Sequence, residues 1–127
     1  MTKKNIKTIL IAEDEQNMRQ TLVDAFRREG FNVLEAKNGK EGLDKALGEH
    51  PDLILLDIVM PEMDGMTMLK KLREDERGRD IPIIMLTNFS DVEKVTNALE
   101  SGVYEYLVKS DWKIEDVVLR VKEKLGL

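Results

Sequence analysis

Leu53-Ile54-Leu55-Leu56-Asp57-Ile58-Val59-Met60-Pro61 is an apolar run that carries one carboxylate and is then broken by proline. Four to eight apolar residues between turn signals suit a strand buried on both faces, and such strands belong mostly to parallel sheets covered by helices. Asp57 therefore falls where a buried strand meets a surface loop. A lone aspartate there would cap the following turn or bond nearby backbone amides, as most loop aspartates do. Its meaning depends on what else the chain brings to the same place.

Upstream, Ile6 to Ala12 reads as a first strand that ends in Glu13-Asp14-Glu15, three carboxylates together. Met18, Leu22, Ala25 and Phe26 then recur at helical spacing as far as Gly30, the residue expected just past a helix end. Phe31 to Ala36 is a short second strand, Asn38-Gly39 a turn, and Leu43, Ala46 and Leu47 the buried stripe of a second helix ending near Gly48. His50-Pro51-Asp52 turns the chain into the Leu53 strand.

Downstream, Asp64 caps a helix whose apolar face is Met66, Leu69 and Leu72, and Gly78 lies in its exit loop. Ile81 to Leu86 is a fourth strand ending in Thr87-Asn88. Ser90 or Asp91 caps a helix striped by Val92, Val95 and Leu99 and punctuated by Gly102. Val103 to Val108 is a fifth strand closed by Lys109, and Ile114, Val117, Val118, Val121 and Leu125 stripe the last helix before Gly126.

Five strands alternating with five helices predict a single α/β domain over residues 1–127, a (βα)5 doubly wound parallel sheet in a flavodoxin-like three-layer sandwich. Ligands of such sheets bind beyond the carboxyl ends of the strands, where the strand order reverses. The alternation does not set the strand order; in the order 2-1-3-4-5 known for flavodoxin-like sheets, strands one and three meet at that point, which would bring Asp14 beside Asp57. Glu13, Thr87 and Lys109 end their strands at the same rim.

Composition limits the readings. The 127 residues are 42% hydrophobic and 35% charged, enough to bury one core and too few for a second domain. Net charge is −5 and the basic residues are scattered, which disfavours direct binding to nucleic acid. There is no Cys, hence no disulfide framework, thiol nucleophile or thiolate metal site. No stretch is long and apolar enough to span a membrane, and the run after Met1-Thr2-Lys3-Lys4 is too short for a secretory signal. An unprocessed cytoplasmic protein is expected.

Carboxylates converging on one rim repel each other unless a cation neutralises them, and all-oxygen ligation with room for water suits Mg²⁺, with Mn²⁺ as an alternative. Lys109 and the Thr87 hydroxyl then fit as partners of a phosphoryl group, since phosphoryl transfer needs mainly positioning and charge neutralisation. Asp57 becomes the nucleophile.

Glu13-Asp14 after strand one, Asp57 with Met60-Pro61 and Met63-Asp64-Gly65, Thr87 after strand four, and Tyr106 three residues before Lys109 together resemble the receiver domain of two-component response regulators, over nearly the whole chain. The resemblance implies that Asp57 accepts a phosphoryl group from a phosphohistidine on a sensor kinase or phosphotransfer protein. It implies Mg²⁺ held by Asp14, Asp57 and the Val59 backbone carbonyl, with Glu13 acting through water. Thr87 and Lys109 would contact the phosphoryl oxygens. Tyr106 would change rotamer with Thr87 and alter the face made by the fourth helix, fifth strand and last helix, where a downstream effector or fused output domain binds. Such a protein catalyses its own phosphorylation and dephosphorylation. Whether phosphorylation drives homodimerisation stays open.

Each residue also has a plainer role. Glu13 would be a solvated acid at a helix start, Asp14 a helix cap, Thr87 a turn residue, Lys109 a surface lysine and Tyr106 packing. His50 reads as a turn residue, and Trp112 as an anchor of the last helix. Ser110 stands where the family usually has a proline, which favours a trans Lys109-Ser110 bond and leaves the aim of Lys109 unspecified. Asn88 is larger than the usual neighbour of the threonine, and apolar Val59 and Phe89 would hinder water attack on an acyl phosphate. Two other classes compete. One is a pseudo-receiver that binds its partner without phosphorylation. The other is a flavin binder or Mg²⁺-dependent phosphatase, though acids replace the phosphate loop a flavin would need after strand one.

Overall fold

The computed structural model describes residues 6–87, 105–108 and 113–127, with Thr87, Glu105, Tyr106 and Val108 described through their backbone. Five strands, β1 (Thr8–Ala12), β2 (Asn32–Ala36), β3 (Leu53–Asp57), β4 (Ile83–Thr87) and β5 (Glu105–Val108), form one parallel sheet in the order β2-β1-β3-β4-β5. Helices α1 (Gln16–Arg28), α2 (Gly39–Glu49) and α3 (Gly65–Glu74) follow β1, β2 and β3, and a C-terminal helix spans Ile114–Leu125. The parallel α/β arrangement expected from the alternation is thus present. The helix expected after Ser90 or Asp91 lies outside the described residues, as does Trp112.

Leu53, Ile54, Leu55 and Leu56 are each fully buried, and their alternation divides the core. Ile54 and Leu56 join Leu10, Ile83 and Met85 under α2 and α3, where Ala46, Met68, Leu69 and Leu72 meet them. Leu53 and Leu55 join Ile9, Ile11, Ile84 and Leu86 on the other face, under Leu22, Val23 and Phe26 of α1 and Val117 and Val121 of the C-terminal helix. A strand with apolar groups on both faces has no polar side to present to water, which is why it lies in the middle of the sheet.

Several boundaries shift. Ile6 is exposed and β1 begins at Thr8, whose N–H is met by the Asp52 carboxylate at 2.8 Å. Asn38-Gly39 is a helix start and not a free turn: the Asn38 side chain accepts from the Glu41 N–H at 2.8 Å and Gly39 is the first residue of α2. Asp64 caps α3 as expected, accepting from the Thr67 N–H at 2.8 Å. Gly126 ends the C-terminal helix at φ 74.

His50 closes α2 in the left-handed region, φ 47 and ψ 66, with its N–H on the Ala46 carbonyl at 3.0 Å. A side chain costs roughly 1–2 kcal/mol there, and glycine avoids that cost at the expense of a more flexible unfolded chain. His50→Gly is therefore expected to stabilise the domain by about 0.5–1 kcal/mol, read as a higher urea midpoint at unchanged m-value. A lower midpoint would show that the imidazole makes a stabilising contact.

Candidate functional site

The parallel register places the carboxyl ends of the central strands at one rim. Ala12 of β1 pairs with Leu56 of β3, so Glu13 and Asp14 leave the sheet beside Asp57. Asp57 in turn pairs with Leu86, and Thr87 with Val108. Glu13, Asp14 and Asp57 each bring a carboxylate oxygen within 4.8 Å of the others.

Burial separates the three. Glu13 is 0% exposed and Asp57 4%, while Asp14 is exposed. The plain role for Glu13, a solvated acid, is therefore overturned. Its N–H bonds the Ala36 carbonyl of β2 at 3.0 Å, and its carboxylate accepts from the Glu15 N–H at 3.1 Å. The plain role for Asp14, the cap of α1, is filled by Glu15, whose side chain accepts from the Met18 N–H at 3.2 Å. Buried carboxylates are retained in proteins when they are paired, hydrogen-bonded or coordinate a metal. The donor set is all oxygen, which fits a hard divalent cation.

The loop after Asp57 is built to keep it there. Ile58 N–H bonds the Leu86 carbonyl at 3.3 Å, and the Ile58 carbonyl accepts from the Gly65 N–H at 2.8 Å, which seats the start of α3 against the end of β3. A Cβ on Gly65 would lie 2.1 Å from the Asp57 carbonyl oxygen, so only glycine permits this approach. Between them, Met63 N–H bonds the Pro61 carbonyl at 2.7 Å around Glu62, at φ 65. Val59 is 49% exposed beside this turn.

Of the other expected site residues, Thr87 ends β4 at this rim, and Tyr106 lies in β5 opposite Met85. The orientation of both side chains, together with Lys109, Ser110, Asn88 and Phe89, lies outside the described residues.

Sequence pattern does not single out Arg19, yet its guanidinium donates to the Glu13 carbonyl at 2.9 Å and to the Glu35 carboxylate of β2 at 3.3 Å. The one signal in the sequence is a cation in the first turns of a helix, where the dipole disfavours it.

These features agree with comparisons to known proteins. A family described as "Response regulator receiver domain" matches residues 9–122. The regulatory protein AtoC of Escherichia coli is 38% identical over 122 residues, which are 96% of this chain and 26% of that protein. A CheY-like receiver domain protein from Methanospirillum hungatei superposes with a TM-score of 0.88 at 30% identity, covering 96% of this chain and 95% of that one. The receiver domain of a sensor histidine kinase from Pseudomonas aeruginosa, described with a magnesium ion coordinated in its active-site cleft, gives 0.86 at 27% identity, covering 97% and 100%. The chain spans about half or less of the length of curated relatives it matches. A match over most of its length, joined to a carboxylate trio at the strand ends, means that this chain belongs to the response regulator receiver domain family.

Proposed function

We propose that this receiver is a phosphorylation-switched signalling module in which Asp57 is the phosphoacceptor. The observation that carries the reading is the trio itself. A nearly buried aspartate at the end of the central strand has two further carboxylates within 4.8 Å, an arrangement that repels itself without a cation. In the step proposed, an Asp57 carboxylate oxygen attacks the phosphorus of a kinase or phosphotransfer phosphohistidine. The P–N bond breaks, its electron pair returns to the imidazole, and a mixed anhydride forms on Asp57. A bound Mg²⁺ would neutralise charge on the phosphoryl oxygens.

Asp14, Asp57 and the Val59 backbone carbonyl would hold that ion, with Glu13 acting through water. The all-oxygen donor set supports the assignment, as does the magnesium-bound Pseudomonas aeruginosa relative. Thr87 and Lys109 would contact the phosphoryl oxygens. Tyr106 would follow Thr87 and reshape the surface formed by the helix after β4, by β5 and by the C-terminal helix, where an effector or output domain would dock. The complete (βα)5 sandwich and a cytoplasmic location belong to the same reading. Among the described residues no helix is long and apolar enough to cross a membrane.

Incubation with Mg²⁺ and a small-molecule acyl phosphate, followed by intact-mass measurement, tests the acceptor. The wild type should gain one phosphoryl group and Asp57→Asn none. Equal modification of both proteins would assign the acceptor elsewhere, and no modification of the wild type would favour the pseudo-receiver.

A further inference from the structure

We infer that Arg19 is a positioning residue for the metal site, acting through the backbone on either side of Asp14 and anchored by Glu35; this rests on the Mg²⁺ reading above. Arg19 is the fourth residue of α1, and its side chain runs back toward the helix start, the direction helical side chains favour. One guanidinium nitrogen, Nη1, donates to the Glu13 carbonyl at 2.9 Å and reaches the Asp14 carbonyl at 3.5 Å. Nε donates to the Glu35 carboxylate at 3.3 Å. The Arg19 side chain is 17% exposed and that of Glu35 37%, so this is a partly buried, charge-assisted junction.

The consequence for Asp14 is geometric. Its backbone dihedrals are set by the two peptide planes that flank it. The plane before it carries the Glu13 carbonyl, held by Arg19. The plane after it carries the Asp14 carbonyl, also reached by Arg19, and the Glu15 N–H, bonded to the Glu13 carboxylate at 3.1 Å. With both planes held, the direction of the Asp14 Cα–Cβ bond is held as well, which leaves its carboxylate only the staggered rotamers about that bond. Glu35 supplies the fixed end. It pairs with Ile11 in the sheet, Lys45 donates to its backbone carbonyl, and Arg27 lies 4.0 Å from its second carboxylate oxygen. Lysine could not replace Arg19, because one ammonium on a flexible stem cannot form this fork.

Charge and geometry predict opposite signs, which makes the inference testable. Arg19→Gln removes a positive charge near the carboxylates, so electrostatics alone would tighten cation binding. Loss of positioning weakens it, and outer-shell partners of metal ligands commonly carry 10- to 100-fold in affinity. Calorimetric titration of the metal-free protein with MgCl2, well below its unfolding temperature, should show Arg19→Gln binding at least about tenfold more weakly than wild type. Arg19→Lys should fail to rescue, and Glu35→Ala should weaken binding in the same direction. The double variant should be little worse than Arg19→Gln, since both act through one junction. Faster hydrogen exchange of the Glu15 amide in the metal-free Arg19→Gln protein is the second readout. Unchanged or tighter Mg²⁺ binding, with a lowered unfolding temperature, would overturn positioning and leave a structural role. If Arg19→Gln does not fold, Arg19→Lys, which keeps the charge but not the fork, decides: weakened Mg²⁺ binding supports positioning and unchanged binding overturns it. Absence of Mg²⁺ binding in the wild type would overturn the metal reading itself, an outcome the variants cannot mimic.

Discussion

Gly65→Ala is expected to destabilise the domain by about 3 kcal/mol, near the upper end of what inserting one methyl into a packed site costs. The added Cβ would stand 2.1 Å from the Asp57 carbonyl oxygen and 3.0 Å from the Ile58 Cα, and both are backbone atoms that no rotamer change can move. Relief requires α3 to withdraw from the end of β3, which breaks the 2.8 Å bond from the Gly65 N–H to the Ile58 carbonyl. For a domain of this length the loss corresponds to a fall in Tm of roughly 10–15 °C. Gly48→Ala is the control. Gly48 lies near the end of α2, where an added Cβ would meet nothing within 4 Å, so alanine should stabilise there by about 0.5–1 kcal/mol. Urea unfolding of the three proteins checks both, and a Gly65→Ala protein within about 0.5 kcal/mol of wild type would show that the α3 start yields easily. Because the clash falls on Asp57 itself, the surviving folded fraction should also accept a phosphoryl group more slowly.

Mg²⁺ should stabilise the wild type by about 2.7 kcal/mol at one hundred times its dissociation constant, and Asp14→Asn should lose most of that gain. A hundredfold loss of affinity leaves only about 0.4 kcal/mol at the same concentration. The variant should respond oppositely without the ion. Two carboxylates at the separation found here repel by roughly 3 kcal/mol at an effective dielectric near 20, an amount that exposure of Asp14 to solvent reduces substantially. Removing one charge should therefore raise the Tm of the metal-free protein by a few degrees. Thermal unfolding in MgCl2 and in NaCl of matched ionic strength separates the two effects. An equal Mg²⁺ response in both proteins would remove Asp14 from the ion's ligands.

The legible parts of the fold are those written in local periodicity. Leu53–Asp57 is a strand whose bounds follow from its apolar run, and the Asp64 cap and Gly126 stop lie where their chemistry requires. Asn38-Gly39 reads as a turn because that dipeptide is a common turn signal. In the structure the same asparagine chemistry caps a helix, since its side-chain oxygen serves either purpose. Hydrophobicity assigns Ile6 to β1, but Ile6 lies outside the strand and 67% exposed. The site is legible as a set of strand ends, whereas the division of labour among its acids is not: Glu15 takes the cap and Glu13 is buried.

That an aspartate ends a doubly buried strand, and that acids follow the first strand, is readable from the residue order alone, because alternation and turn chemistry act over a few residues. Tertiary packing alone buries Glu13, brings Arg19 to Glu35 sixteen residues away, and sets Gly65 against the Asp57 carbonyl. Periodicity says which way a side chain leaves its own helix or strand. It carries no information on the distance to another element, and it is that distance which turns three acids into a site.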